Sequence, residues 1–223
     1  MRRRIYLMRH AAVAYFDLDG RPLPPEAVPL TPEGEDQARA TRDALAGVRF
    51  DRCITSGLER TLATARIVAP GIEPEVWPDF RELEGGRLDE IPDEDLEQTF
   101  TGVFRGVLSE ETRFLDGETI GALFDRVLPA LERLLGDESW DALLAVLHGG
   151  VNRAILSYAL TGERWFLGNL EQAPACVNVL DTGAGHWVVR AVNLTPYDLP
   201  HMSGRDTTME QLYNQYVPYR RKP

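Results

Sequence analysis

The sequence predicts an α/β protein, a three-layer α/β/α sandwich with a mostly parallel central sheet, on three observations. Short apolar, β-branched runs recur along the chain, amphipathic helical stretches separate them, and no polar linker interrupts the alternation. Strands that alternate with helices pair in parallel, and such a sheet needs both faces covered. With 223 residues, 43% of them hydrophobic and 26% charged, the chain is long enough and apolar enough to bury a large core. It reads as a single domain over 1–223, with an insertion at about 85–117.

The first predicted strand is Arg4 to Met8, and its apolar run stops at Arg9 and His10. Thr31 is a good helix cap with Pro32 at the first helical position; Ala38, Leu45 and Val48 give that helix an apolar face before Gly47 loosens its end. The second strand is Arg52 to Thr55, after which Ser56 reads as the cap of a helix that Pro70-Gly71 stops. A strand at Glu75 to Trp77 follows. From Gly85 to Gly117 many acids surround scattered apolar positions such as Leu96, Phe100, Val103 and Val107, the pattern of a helical insertion outside the sheet, acting as a lid. Beyond it the pattern predicts a helix from Thr119 to Leu135, a strand Leu143 to Leu147, and a helix Val151 to Leu160 ended by Thr161-Gly162. Two strands, Val177 to Leu180 and Trp187 to Val192, and a short helix from Thr208 to Tyr216 complete the order. Tyr213, Tyr216 and Tyr219 are expected to pack against the body, or against a second copy in a homodimer, and the basic Arg220-Arg221-Lys222 tail to be solvated.

A net charge of −11 argues against a broad nucleic-acid or acidic-membrane surface, since both need a basic face. No stretch has the length of apolar sequence that a membrane span requires, and the run after Met1-Arg2-Arg3-Arg4 is too short for an export signal. Cys53 and Cys176 lie far apart in apolar runs, so a reducing, cytoplasmic location is expected.

In parallel sheets, ligands gather beyond the carboxyl ends of the strands. Three predicted strands end alike: one in Arg9-His10, one in Thr55-Ser56 with Arg60 a turn into the next helix, one in His148-Gly149-Gly150. Together they offer two imidazoles, two guanidiniums and the free N–H groups of a helix start, which suits an anion and most naturally a phosphate. Either histidine alone would ordinarily be structural; their convergence with the arginines makes the site. Neutral imidazole is a competent nucleophile toward phosphorus, and Arg9, Arg60 and a protonated His148 would match the charge it attacks. The leaving oxygen needs a proton, for which Glu82, Glu84 and Asp79 are all candidates. No cluster of His, Asp and Glu has metal-ligand spacing, so neither a metal nor another cofactor is expected.

Five ordered elements resemble the histidine phosphatase superfamily, in its phosphoglycerate mutase-like branch. Arg9-His10-Ala11 resembles the family's R-H-G start, and Ser56, Leu58, Arg60, Thr64 and Ala65 match its S-x-L-x-R-A-x-x-T-A element. Phe80-Arg81-Glu82 resembles L-R-E, Gly117-Glu118-Thr119 with Arg126 resembles G-E-S/T and its following arginine, and His148-Gly149-Gly150 matches H-G-G. The resemblance implies that His10 is phosphorylated, that Arg9, Arg60 and His148 form the phosphate pocket, assisted by Ser56 and Gly149, and that Glu82 is the proton donor. It implies hydrolysis of a small phosphorylated metabolite, with mutase-type transfer or an impaired phosphate-ester binding protein as alternatives. Several positions depart from the family: Ala11 stands where glycine is usual, Ala12 and Val13 where Glu and then Thr or Ser are common, the G-x-W-E-G element is only partly kept as Gly86-Arg87-Leu88-Asp89-Glu90, and Phe16 stands where an asparagine commonly helps hold phosphate, so Phe16 is expected to line a more apolar entrance. Glu118 and Thr119 read as a helix-start charge and a cap.

Overall fold

The computed structural model describes residues 2–17, 21–24, 26 and 28–220. Its elements in chain order are β1 (Arg3–Arg9), α1 (Pro32–Ala44), β2 (Arg52–Thr55), α2 (Glu59–Val68), β3 (Glu75–Val76), α3 (Asp93–Thr101), β4 (Val107–Leu108), α4 (Ile120–Gly136), β5 (Ala142–Leu147), α5 (Gly149–Thr161), β6 (Phe166–Leu167), β7 (Val177–Gly183), β8 (His186–Leu194) and α6 (Thr208–Arg220). The main sheet runs β3-β2-β5-β1-β7-β8. Its first four strands are parallel, while β7 runs antiparallel to β1 and β8 antiparallel to β7. That last hairpin turns on Ala184 and Gly185, both at positive φ, as a tight two-residue loop between twisted strands requires.

Period-two alternation along β5 makes the three layers. Leu143, Ala145 and Leu147 face a core with α4 and α5, whereas Leu144 and Val146 face a second core with Ala38 of α1 and Ala65 and Val68 of α2. On α4, Ile120, Leu123, Phe124, Val127, Leu131 and Leu134 recur at three- and four-residue spacing and are buried, so one stripe of that helix covers the sheet. Thr31 caps α1 as expected, accepting the Gly34 N–H at 3.0 Å. Thr119 caps α4 in the same way, accepting from Ala122.

Ser56 is not a helix cap. The helix after β2 begins at Glu59, with Leu58 in the capping position and no side-chain cap, and the Ser56 hydroxyl turns instead toward His148. The insertion is less helical than expected: α3 is its single α-helix, and β4 leaves it to pair with β6. Ile91, Leu96, Phe100, Val103 and Leu115 form a separate small core with Met209 and Tyr216 of α6. Tyr216 stacks on Phe100 at 5.8 Å and on Phe16 at 5.9 Å, while Tyr213 and Tyr219 flank it, so the three tyrosines pack within the chain. Arg220 is not solvated as predicted: it donates to the Leu88 and Ile91 carbonyls, both at 2.8 Å, and pairs with Asp93. Arg221 and Lys222 lie outside the described residues. No helix among the described residues is long and apolar enough to cross a membrane.

Because Phe100 is buried where α3 meets α6, Phe100→Ala is expected to lower stability by about 3 kcal/mol, the usual cost of emptying a buried aromatic site. Urea denaturation of the two proteins checks this, and a loss under about 1 kcal/mol would mean that this small core contributes little.

Candidate active site

Parallel order brings the carboxyl ends of β2, β5 and β1 side by side at one edge of the sheet. The His10 N–H donates to the Leu147 carbonyl at 3.0 Å, so His10 and His148 sit on neighbouring strand ends, with ring centroids 5.3 Å apart. The loop after His10 is pinned from both sides: Ala11 N–H donates to Thr64 of α2 and Ala12 N–H to Gln37 of α1, both at 3.0 Å. Thr64, a matched motif residue, therefore fixes the backbone beside the histidine.

One ring nitrogen of His10 is tied to the backbone. Its Nδ1 is 2.8 Å from the Ala11 carbonyl, an acceptor, so Nδ1 carries the proton and Nε2 keeps its lone pair. Burial, reinforced by Arg9 and Arg60, pushes the His10 imidazole well below the ordinary histidine range, against a weak opposing effect of the Ala11 carbonyl. His148 is depressed in the same direction by burial and then by His10, Arg60, Arg9 and Arg126. With no anion bound, this environment favours the neutral form of His148. Its Nε2 lies 2.7 Å from the Ser56 hydroxyl, and its Nδ1 has no hydrogen-bond partner among the described residues.

Arg9 enters the cluster from β1 and is anchored by its Nη1, which donates to the Gln172 carbonyl at 2.6 Å and to Thr208 Oγ1 at 2.8 Å. Its Nε is buried and has no partner among the described residues. Burial opposes its charge, but Tyr15, Glu171, Cys176 and Glu82 outweigh that and hold the guanidinium above its ordinary range. Thr208 in turn donates to Glu171, which pairs with the buried Arg153 at 2.9 Å. Arg60, 3% exposed, approaches from α2, with its guanidinium carbon 6.0 Å from the Tyr15 ring centroid.

Glu82 reaches the same place from the segment after β3. Its carboxylate accepts from Gly150 N–H at 3.1 and 3.2 Å and from Leu83 N–H at 2.9 Å, so it lies against the first turn of α5. A Cβ at position 150 would stand 2.6 Å from that carboxylate, which explains the second glycine after His148. A Cβ at 149 would lie 3.7 Å from Glu82 and 3.8 Å from Arg9 Nε, so these two groups flank the first glycine. Arg126 holds the segment in place: it grips both oxygens of Glu118 at 2.8 and 2.9 Å and donates to the carbonyls of Asp79, Arg81 and Glu82. The rival carboxylates are engaged elsewhere or turned outward, Asp79 pairing with Arg133 and Glu84 being exposed.

A cleft of about 960 Å³ leads to this cluster, and its walls include Arg9, His10, Tyr15 and Phe16 but not Ser56, Arg60, Glu82, His148 or Gly149. The far walls come from a segment that the sequence pattern left without a role, with Thr195, Tyr197, His201 and Arg205 among its residues, and from Thr208 at the start of α6. No residue of 85–117 lines the cleft, and the apolar positions of the insertion pack against α6. Tyr15, whose hydroxyl is 3.3 Å from His10 Nε2, was also missed; the available signal was its place five residues after His10, in the loop leaving the strand. Among the described residues no group of three or more His, Cys, Asp or Glu could hold a metal ion.

The sequence profile of the histidine phosphatase superfamily (branch 1) matches residues 5–195, a span holding Arg9, His10, Arg60, Glu82 and His148 in order. The chain belongs to the histidine phosphatase superfamily. This superfamily member is 30% identical over 198 residues to 2-carboxy-D-arabinitol-1-phosphatase of Triticum aestivum, covering 80% of the chain and 37% of that relative. It is 28% identical over 204 residues to the Arabidopsis thaliana protein named "Probable 2-carboxy-D-arabinitol-1-phosphatase", covering 87% of the chain and 42% of the relative. The chain thus spans about two fifths of the length of these plant proteins. It is also 27% identical over 204 residues to the Salmonella paratyphi A protein named "Probable phosphoglycerate mutase GpmB", covering 89% of the chain and 94% of that protein. Among solved structures, the mycobacterial glucosyl-3-phosphoglycerate phosphatase complexed with VO3 gives a TM-score of 0.71 at 20% identity, over 86% of this chain and 98% of that one. This likeness bears on the fold.

Two neutral buried histidines make stability depend on pH with a definite sign. Both native values lie below that of an unfolded histidine, so as pH falls through about 6.5 the unfolded chain takes up protons that the native one does not. The contribution is full above that pH and is lost as pH drops toward the native values. Between pH 7 and 5.5 the wild type is expected to lose roughly 1 kcal/mol more than His10→Asn, read by urea denaturation of both proteins at each pH.

Proposed function

We propose that this histidine phosphatase superfamily member hydrolyses a small phosphomonoester through a phosphohistidine on His10, without a metal ion. The observation that carries the reading is the state of His10: neutral, its Nδ1 tied to the Ala11 carbonyl, its Nε2 lone pair directed away from that tie and flanked by two arginines. In the first step Nε2 attacks phosphorus and the bond to the ester oxygen breaks, with Glu82 delivering a proton to the departing oxygen. In the second, water attacks phosphorus and gives a proton back to Glu82, the P–N bond breaks, and phosphate leaves as His10 regains its lone pair. Arg9 and Arg60 supply the positive charge that the transferring phosphoryl group needs, so the chemistry does not call on a metal. Bound phosphate also opposes the cationic environment that keeps His148 neutral, and its unpartnered Nδ1 suits it to meet a phosphoryl oxygen as an N–H donor.

Names among the relatives include both phosphatases and a mutase. The two activities share the phosphohistidine and differ in what accepts the phosphoryl group, water or a second hydroxyl. The proposal takes hydrolysis, and a screen of phosphorylated metabolites with released phosphate as the readout tests it; isomerisation of the ester without phosphate release would make the protein a mutase.

During turnover, quenching without acid is expected to trap phosphate on the peptide carrying His10, as an adduct labile in acid and stable in base. His10→Ala is expected to lose both adduct and turnover. Turnover close to wild type in that variant, or an adduct on Ser56, would assign the nucleophile elsewhere.

Arg60→Ala is expected to lower kcat/KM about ten-fold to a hundred-fold, since a charge-assisted contact in a buried pocket contributes ~1.5 to 3 kcal/mol. Arg87→Ala, at an exposed surface pair, serves as the control and should leave kinetics unchanged.

A further inference from the structure

The phosphate-binding groups are more deeply covered than a substrate pocket should be. His10 is 1% exposed and His148 is fully buried, and the cleft stops short of Arg60, His148 and Ser56. The side chain of Tyr15 lines the cleft, places its hydroxyl 3.3 Å from His10 Nε2, and puts its ring beside Arg60. With Nε2 the nitrogen that bears no proton, the phenol O–H is the donor in this contact.

That distance has a chemical meaning. A phosphorus atom poised for attack lies about 3 to 3.5 Å from the nucleophile, so the phenol oxygen, as hydrogen-bond donor to the same lone pair, competes with phosphorus for it. Substrate cannot enter unless the hydroxyl leaves. The backbone on either side of Tyr15 is held by bridges, Val13 to Leu30 and Phe16 to Pro22, so side-chain rotation is the cheap route and opening of the loop is not. A modest rotation leaves the O–H next to the oxygens of the arriving phosphoryl group. The neighbouring residue offers nothing of the kind: Phe16 has no polar atom and is stacked on Tyr216.

We propose that Tyr15 is a catalytic residue that caps the lone pair of His10 in the empty site and, displaced by substrate, donates its hydroxyl proton in a hydrogen bond to the transferring phosphoryl group. No covalent bond changes at Tyr15; one hydrogen bond, to nitrogen, is exchanged for another, to a phosphoryl oxygen whose charge makes it the stronger acceptor. The contact supplies a polar ligand at the turn where Phe16 supplies none. This inference rests on the phosphatase reading of the site.

The test uses the full chain and Tyr15→Phe, which keeps the ring beside Arg60 and removes only the hydroxyl. Two probes are applied: 4-nitrophenyl phosphate for turnover, and orthovanadate as a competitive ligand whose affinity is read by inhibition or, independently of turnover, by the shift in thermal melting. Loss of the donor is expected to lower kcat/KM by about ten-fold and to weaken orthovanadate by a similar factor, while the melting temperature without ligand stays close to wild type. Orthovanadate binding equal to or tighter than wild type in Tyr15→Phe would overturn the proposal, because the phenol would then be only a cover that ligand must push aside. If the wild type binds orthovanadate but turns over no phosphate ester, the phosphatase reading fails, and the melting shifts of the two proteins still decide whether Tyr15 touches the bound oxyanion.

Discussion

Two guanidiniums and two imidazoles share one buried edge of the sheet, and the architecture answers to the electrostatic cost of putting them there. A charge taken out of water must be paired or hydrogen-bonded, and a group that can shed its proton will do so first. The histidines take the second course and are neutral. Arg9 takes the first, through a chain of contacts in which Thr208, Glu171 and Arg153 stand behind it and Gln172 accepts directly. Gln172 is itself held by Asn178, whose amide donates to the Leu7 carbonyl of the strand that carries Arg9. A buried polar network of this kind restrains the guanidinium to one position, so an incoming anion meets charge that is already oriented.

The same constraint explains the glycines and the arginine clamp. Glu82 is drawn to the first turn of α5, where backbone N–H groups are in need of acceptors, and only glycine at 150 leaves room for it. Arg126 with Glu118 braces the segment from behind by collecting the carbonyls of residues 79, 81 and 82. Motif residues that read in sequence as a cap and a helix-start charge thus act together: Thr119 begins the helix that carries Arg126, and Glu118 orients its fork.

The sheet and its helices were legible because their signals are local. Thr31-Pro32, the apolar run at 143–147 and the stripe of α4 each settle their element within a few residues. Convergence of Arg9, Arg60 and His148 was legible too, since parallel strands oblige their carboxyl ends to meet. Ser56 was misread because a serine just before a helical pattern looks like a cap whether or not its hydroxyl has a better partner elsewhere, and here His148 is that partner. The protonation of His148 depends on burial and on four neighbouring charged or titratable groups from distant parts of the chain, which no local pattern contains. The far wall of the cleft lies in irregular backbone at 195–207, where periodicity has nothing to report, and the contact of residues 85–117 with α6 joins segments about a hundred positions apart, beyond any local pattern.

The bond from Arg9 to Thr208 joins residues 199 positions apart. The strand that carries Arg9, β1, likewise finds β5 and β7 only after most of the chain exists, since Arg4 pairs with Ala142 on one side and Asp181 on the other. Contacts so remote in sequence carry a large loop-closure cost and form late. During synthesis the first strand must wait, with its arginine and histidine at its end, for partners made much later. The cluster of Arg9, His10 and His148 is therefore among the last things this chain can complete, and a partly folded molecule with its helices in place would hold His10 without the guanidinium anchored beside it.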